Sequence, residues 1–521
     1  MSEYYVPDEI VEGSKVFIRG QNPGATEVAE GKPFCGQTGQ IMESTFFPLA
    51  NLVRGENVSI GNTFRCRLGA TNDVPDTATL RAAALHCAAA HERIPTSVEM
   101  VVAQGSVAWQ YETQRTDLPI GDWRGHLAPE RGRLGVPVYA VLHLADLNLG
   151  RQPEMTLPSK LDWARIPRIL DGTHPRQFPP RLQVGPFQTA KVNDWFRAAL
   201  EHAPYLVWDT EFRYTIDDPY RDDNHQLTMV SITYPGADQG IQFVKPPGET
   251  DMFEQHFIEE FEKLCKVKRH VGHNFTAEIR CMEKSYGWNP AMFWGRFDDS
   301  MHAHAEVWSE HAHTLEFLES LYSPYPKMKH LPTTDPLRNW GDTVVTLEVW
   351  QAMERELSRD ADALRNYREQ RLALCRHIYT RESTGLKVNK ARVEPAIRMY
   401  QSKIDAANVL AQAYCGYGIN LNASTQVVYW LYDVEQLTVQ KSKNKHTKTK
   451  RSTDKDAIAA LRASVLPFDG DYEANTSITQ EYVQQRLADG AHPLLEAKVL
   501  FTEAEQIQSH YLNPLMRGGS T

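Results

Sequence analysis

Asp209 and Glu211 stand two residues apart in the apolar run YLVWDTEF, residues 205–212. Residues i and i+2 of a strand face the same side. Read as a strand, the run sets two carboxylates side by side, where they repel unless a divalent cation sits between them. Two Mg²⁺ or Mn²⁺ ions about 4 Å apart can hold an attacking water and a leaving 3′ oxygen during phosphodiester hydrolysis. Taken alone, the pattern also describes a polar strand end. Further acids follow at intervals: Glu278 in VGHNFTAEIRCM, Asp299 in FDDSMHAHAEVW and Asp342 in NWGDTVVTLEVW. A second chemistry-bearing stretch, IRGQNPGATEVAEGKPFCGQTGQI (18–41), follows a strand-like run and is rich in glycine. Such a stretch turns backbone N–H groups and small residues toward a ligand.

The elements that must position these residues are legible as periodicities. The chain has 521 residues, net charge −10, 41% hydrophobic and 23% charged residues. This is an ordinary globular mix, of a length that predicts about three to four domains. The charge excludes a uniformly basic nucleic-acid coat but leaves room for a local basic stripe. No apolar run approaches the roughly 18 residues of a membrane span, and the acidic MSEYYVPDEIVEG start is not a signal peptide. Seven scattered cysteines without a CxxC point to a reducing cytoplasm. A host-cell cytoplasm is implied if the source is a phage.

KVFIRG, EMVVAQG and PVYAVLHL read as buried strands and TATLRAAALHCAAAHERI as a helix, giving a parallel sheet covered on both faces. The proline-rich THPRQFPPRLQVGPF reads as a linker. Beyond it, helix VNDWFRAALEHA, strands YLVWDTEF, LTMVSITYP and GIQFVK, and helices HTLEFLESLY and VVTLEVWQAM are expected. The last part is helical, interrupted by the lysine-rich VQKSKNKHTKTKRST. Three domains result: 1–175, 185–355 and 356–521.

The middle order of motifs resembles the 3′–5′ proofreading exonuclease of family A DNA polymerases, an RNase H-like fold. The resemblance assigns Asp209, Glu211, Glu278 and Asp342 as catalytic, with Asp209, Glu211 and Asp342 as ligands of two Mg²⁺ or Mn²⁺ ions. Asp299 matches a segment that is not a metal ligand. Ala277–Glu278 replaces the family's aromatic–Asp pair, and Arg338 stands at its water-orienting tyrosine. A displacement of about an ångström there can cost about a hundredfold in rate. Asn274 is placed near the ribose or metal shell, or simply in a strand-end turn. His302, His304, His311 and His313 are read as a helix edge and turn rather than a zinc site.

GxxPG…E…GxPFxGxxG, then NTFRCR, VVAQGSVAW and VLHLADL, resembles the uracil-DNA glycosylase superfamily. That resemblance implies a base pocket in which Phe34 stacks, Asn62 reads the Watson–Crick edge, Asn22 holds water and His143 stabilises the leaving base. The family's His-Pro is His143–Leu144 here. Cys66 and Cys87 match two ligands of an iron–sulfur cluster whose N-terminal pair is missing, so no cluster is expected.

RESTGLKVNKARVEPAIRMY, GINLNASTQVVYWLYD and HPLLEAKVLFTEAEQIQSHYLNPL resemble the thumb of family A polymerases. In the insert, Lys441, Lys443, Lys445, Lys448, Lys450 and Arg451 are candidate duplex-phosphate contacts, or a solvated hairpin. Ser452 and Thr453 read as a helix start. No palm or fingers motif occurs. The reading is therefore the exonuclease and thumb part of a split, phage-like replicative polymerase. It would bind primer-template and single-stranded 3′ ends and need a separate palm-and-fingers chain. The alternatives are a non-catalytic DNA-binding assembly subunit with two degenerate enzyme folds, and active uracil excision tethered to replication. No membrane partner is expected.

Overall fold

The computed structural model describes residues 5–67, 86–87, 94–148, 150, 152–185, 188–214, 225–245, 252–385, 387–440, 451–466 and 478–517. The chain divides into two compact units. The first contains residues 1–215 and 225–382, the second residues 216–224 and 383–521.

The first unit is built on two sheets. Strands β1 (Val16–Gly20), β2 (Val58–Asn62), β3 (Met100–Gln104) and β4 (Val138–Val141) form a parallel sheet in the order β2-β1-β3-β4. Every residue of these strands is buried, as in a sheet covered on both faces, including the polar Arg19, Ser59, Asn62 and Gln104. Phe46, Phe47 and Trp163 fill one layer, and Trp109 and Trp123 the other. The expected helix over 77–94 falls mostly outside the described residues, although His86 and Cys87 are helical.

The second sheet has the order β10-β9-β6-β7-β8-β5. Its strands are β5 (Arg181–Val184), β6 (Tyr205–Tyr214), β7 (His225–Thr233), β8 (Gly240–Val244), β9 (Arg269–Gly272) and β10 (Phe297–Asp299). β6, β7 and β8 are antiparallel, while β9 and β10 continue in parallel beside β6. β5 corrects the linker reading. RLQV lies within the proline-rich stretch yet pairs in parallel with β8 at the sheet edge. The stretch's prolines flank the strand rather than interrupt it, so no ladder bond is lost to a missing N–H.

Along β6, Leu206 and Trp208 enter an aromatic core with Phe257, Phe261 and Phe275, under the helices Thr189–His202, Met252–Cys265 and Thr276–Tyr286. Val207 joins the opposite core with Val345, Val349 and Met353 of the long helix Pro336–Ser358. Residues 356–382 belong to this unit, because Cys375 and Tyr379 of the helix Leu372–Thr384 pack into the aromatic core.

The two sheets of this unit are tied by buried polar contacts. Asp162 accepts from Arg124 Nε and Nη2 at 3.0 and 2.9 Å. Arg124 Nη1 donates to Ser320 Oγ at 2.6 Å, while Arg165 donates to the carbonyls of Ser320 and Leu321.

The second unit is helical, centred on Lys390–Cys415 against Pro493–Ile507. Its buried Glu496 carries both Arg462 and Arg486. The helix expected after Ser452 and Thr453 begins one residue later. Asp454 is its cap, accepting from Ala457 N at 2.9 Å, because a carboxylate directly preceding Lys455–Val465 reaches its first-turn N–H. Among the described residues, no helix is long and apolar enough to cross a membrane.

Candidate functional site

Period-two alternation puts Val207, Asp209 and Glu211 on the face of β6 that the long helix covers. Asp342 lies on that helix, one turn beyond Arg338. Oxygens of Asp209, Glu211 and Asp342 all lie within 4.8 Å of one another, and the three side chains are partly exposed. A register shift in the β6–β7 pairing falls between Glu211 and Phe212, beside the site, before the pairing resumes through Tyr214.

Like charges at this separation change the acids. Burial, then Glu278, Asp342 and Glu211, push Asp209 well above the carboxylate range. Burial and Asp342 push Glu211 up to about 7, against the opposing pull of Arg338 and Lys329. Burial raises Asp342 to about 6. Glu278 is buried at the start of the helix Thr276–Tyr286, is also pushed well up by burial, and its Oε2 has no hydrogen-bond partner. It therefore adjoins the trio without joining it. Three clustered carboxylate oxygens are a hard donor set suited to Mg²⁺ or Mn²⁺, and the repulsion within the cluster is what a cation would relieve.

The other residues named from sequence around this cluster have structural partners. Asp299 caps the helix Ser300–Val307 and accepts from the backbone N–H groups of Asn274 and Phe275 at 3.1 and 2.8 Å. Asn274 has φ +58°, so it forms the strand-end turn. Arg338 Nη1 donates to the Leu331 carbonyl at 2.9 Å. His304 Nδ1 meets His313 Nδ1 at 2.8 Å. Among the described residues, the histidines form no group of three ligand atoms with other metal-binding side chains.

Sequence reasoning missed Asn339. Its Nδ2 donates to Asp209 Oδ2, and its Oδ1 takes the Ser231 hydroxyl within a buried group that includes Gln242. The available signal was its spacing of three before Asp342, which puts both on one helix face.

The glycine-rich stretch lies at the carboxyl ends of the parallel strands, where open α/β sheets bind ligands. The strand order reverses between β1 and β3. Asn22 follows β1, Asn62 ends β2, Gly105 follows β3 and His143 follows β4. A Cβ on Gly20 would collide with the Phe34 ring and lie 2.6 Å from Asn62 Oδ1, so these two side chains converge closely over Gly20. Phe34 sits at φ +51°, and its carbonyl accepts from Arg54 Nη1 at 3.0 Å. Glu27 clamps the loop, accepting from the N–H groups of Gly24 and Phe34. Glu27 and Arg54 were not singled out from sequence. His143 packs on Gly105, and its Nδ1 accepts from Ala145 N at 3.3 Å, which leaves the proton of a neutral ring on Nε2. Asn22 Nδ2 donates to the Pro23 carbonyl at 3.1 Å.

Cys66 pairs in a β-bridge with Tyr5, and Cys87 is buried. Lys441, Lys443, Lys445, Lys448 and Lys450 lie outside the described residues. Arg451 is described and pairs with Asp433.

Residues 7–165 match the family model described as the Uracil DNA glycosylase superfamily. No curated protein matches the chain. Among solved structures, the "POL domain of Pol1 from M. smegmatis complex with DNA primer-template and dNTP" overlaps with a TM-score of 0.40 at 17% identity. The overlap covers 64% of this chain and 49% of that one, so the chain spans about half the length of that structure.

Proposed function

We propose that the chain is a DNA-processing protein whose carboxylate cluster hydrolyses single-stranded DNA from the 3′ end. The observation that carries this reading is the convergence of Asp209, Glu211 and Asp342 within 4.8 Å. These three would hold two Mg²⁺ or Mn²⁺ ions, with Glu278 in reserve beside them. When bound, the ions supply Lewis acidity to the attacking water and the departing 3′ oxygen. Asn339 holds the Asp209 carboxylate in one orientation. Arg338 and Lys329 bring positive charge to the cluster's edge. The carboxylate of Glu278 and the guanidinium of Arg338, in place of the family's Asp and Tyr, favour a slow enzyme. A 5′-labelled oligonucleotide incubated with Mn²⁺ should give a ladder with the wild type and none with Asp209→Ala. Equal ladders would overturn the assignment, and none in either would favour a DNA-binding scaffold.

In the same reading the helical unit grips duplex for a separate palm-and-fingers chain. Primer extension by this chain alone would refute that, whereas extension gained on adding such a chain supports it.

A second reading concerns the N-terminal pocket. The convergence of Phe34 and Asn62 over Gly20, together with the family match over residues 7–165, supports recognition of a flipped base. The His143–Leu144 pair favours slow excision or binding without excision. Release of uracil from a uracil-containing oligonucleotide, compared with Asn22→Ala, distinguishes the two.

A further inference from the structure

Within the first unit, at the opposite end of the second sheet from the carboxylate cluster, lies a cavity of ≈ 550 Å³. β9 and β10 run parallel to β6, and their first residues, Arg269 and Phe297, line the cavity together with Trp294 from the turn before β10. Arg269 sits opposite Tyr205, four residues before Asp209, so about 13 Å of strand separates the two sites. The remaining wall is the helical face that carries Arg368, Arg376 and His377.

The fold fixes this arrangement. Cys375 and Tyr379 turn the helix Leu372–Thr384 toward the aromatic core, which leaves Arg376 and His377 on its outer side, both exposed. Just before that helix, Tyr367 Oη accepts from the Asp299 N–H at 2.8 Å and donates to Asp298 Oδ1 at 3.3 Å, holding the turn that carries the exposed Arg368. Asp298 is buried and already pairs with Arg269, whose side chain remains 39% exposed. No carboxylate is among the residues that line the cavity. Arg368 acts on Asp298 electrostatically, and neither Arg368 nor Arg376 forms an ion pair with a described residue. One carboxylate thus answers three guanidinium groups. Single solvated arginines are ordinary, but three converging on one concavity make a local trap for anions, even on a chain of net charge −10.

Guanidinium groups match phosphate oxygens in charge and in fork geometry. Arg368 and Arg376 are eight residues apart, about 12 Å along a helix, the rise of about three to four stacked nucleotides at about 3.4 Å each. That spacing suits successive phosphates of a strand better than a single phosphate. Trp294 is partly exposed, and Phe297 and Tyr379 hold it edge to face with ring centroids 5.8 and 5.3 Å away, so it offers a rigid surface for a base. We propose that this cavity grips the phosphate backbone of a single DNA strand over a few nucleotides, remote from the carboxylate cluster. The choice of DNA rests on the DNA-processing reading above, whereas the affinity for a polyanion does not.

The test is photo-crosslinking of the full chain, in EDTA, to an oligothymidylate carrying 5-iododeoxyuridine and about twelve nucleotides long, within the span of single-strand sites. Peptide mapping should place a crosslink at Trp294 or His377. In the double variant Arg368→Gln/Arg376→Gln that crosslink should fall at least about tenfold, as loss of two charge-assisted contacts implies. Both arginines are exposed and outside any ion pair, so their replacement leaves the fold intact. Asp209→Ala should keep the crosslink, so that failure of hydrolysis and failure of this site are read separately. No crosslink at these residues, a crosslink undiminished in the double variant, or its loss in Asp209→Ala would overturn the proposal. Displacement by polyglutamate as effective as by unmodified oligothymidylate would overturn nucleic acid in favour of an acidic protein partner. Equally effective displacement by thymidine 5′-monophosphate would overturn the strand in favour of one nucleotide.

Discussion

Asn339 Nδ2 donates to Asp209 Oδ2 at 2.7 Å and to the Asp209 carbonyl at 3.2 Å. One amide on the long helix thus fixes both the backbone and the carboxylate of a β6 residue. Behind it, Gln242 Nε2 donates to Ser231 Oγ at 2.8 Å, and Gln242 Oε1 accepts from Arg181 Nε at 2.8 Å. The orientation of Asp209 is therefore set from the far edge of the sheet. Asn339→Ala should lower the exonuclease rate about 10- to 100-fold, the usual cost of losing a partner behind a metal ligand. Single-turnover digestion of a labelled oligonucleotide measures it, and an unchanged rate would remove Asn339 from the site.

The cluster also sets a pH dependence. Glu211 is raised to about 7 from an ordinary value of 4.5. Between these values the folded, metal-free chain binds more protons than the unfolded chain, so stability falls as pH rises. The contribution is fully present below about 4.5 and lost as pH passes 7. In EDTA, the Tm of wild type relative to Glu211→Gln should drop by a few °C between pH 5 and pH 8. Mn²⁺ should reverse the drop while releasing protons, detectable in a weakly buffered titration. A Tm difference that does not vary with pH would contradict the repulsion described.

Glu278 carries a buried oxygen without a partner next to this cluster. Glu278→Gln keeps its shape and removes its capacity for charge. The variant should melt within a few °C of wild type and digest DNA at least about tenfold more slowly. Full activity would make Glu278 a bystander.

Gly20→Ala would press a methyl group into Phe34 and Asn62. Overpacking of this kind costs about 1–3 kcal/mol, which urea denaturation would show. The same change should reduce capture of a uracil-containing single strand at least about tenfold, since it displaces both side chains assigned to the base. A variant with unaltered binding would move the base elsewhere.

In the helical unit, Arg462 Nη2 reaches Glu496 at 2.7 Å and Arg486 Nη2 reaches it at 3.2 Å, all three side chains being buried. Glu496→Ala would leave two guanidinium groups uncompensated, at a cost of about 3–5 kcal/mol. Hydrogen exchange resolved to peptides of residues 390–517 should show this unit opening early. No shift would mean that water reaches the arginines.

Three strands of the parallel sheet, β1, β3 and β4, were legible from their apolar runs, whereas β2 was not, because Ser59, Gly61 and Asn62 break its run. The Asp209 and Glu211 pair of the carboxylate cluster was legible through its i, i+2 geometry, while Asp342 entered only through the resemblance. Asn339 was not legible, because its partner lies 130 residues away and its spacing from Asp342 marks only a shared helix face, not a contact with Asp209. β5 was hidden among prolines, and its pairing with β8 is a long-range fact. Glu27 and Arg54 act by holding loop backbone, which composition does not display.

The contacts that Arg124 and Arg165 make with Ser320 and Leu321 bear on how the molecule can be divided. A protease nick or gene fusion placed between the two sheets would strand Asp162 and two guanidinium groups on raw surface, and neither half would keep its native hydrogen bonding there. The seam between two enzyme-like folds, which looks like the natural place to cut, is instead a weld. Limited proteolysis should release residues before Glu382 as one fragment that melts in a single transition, so the two sheets stand or unfold together.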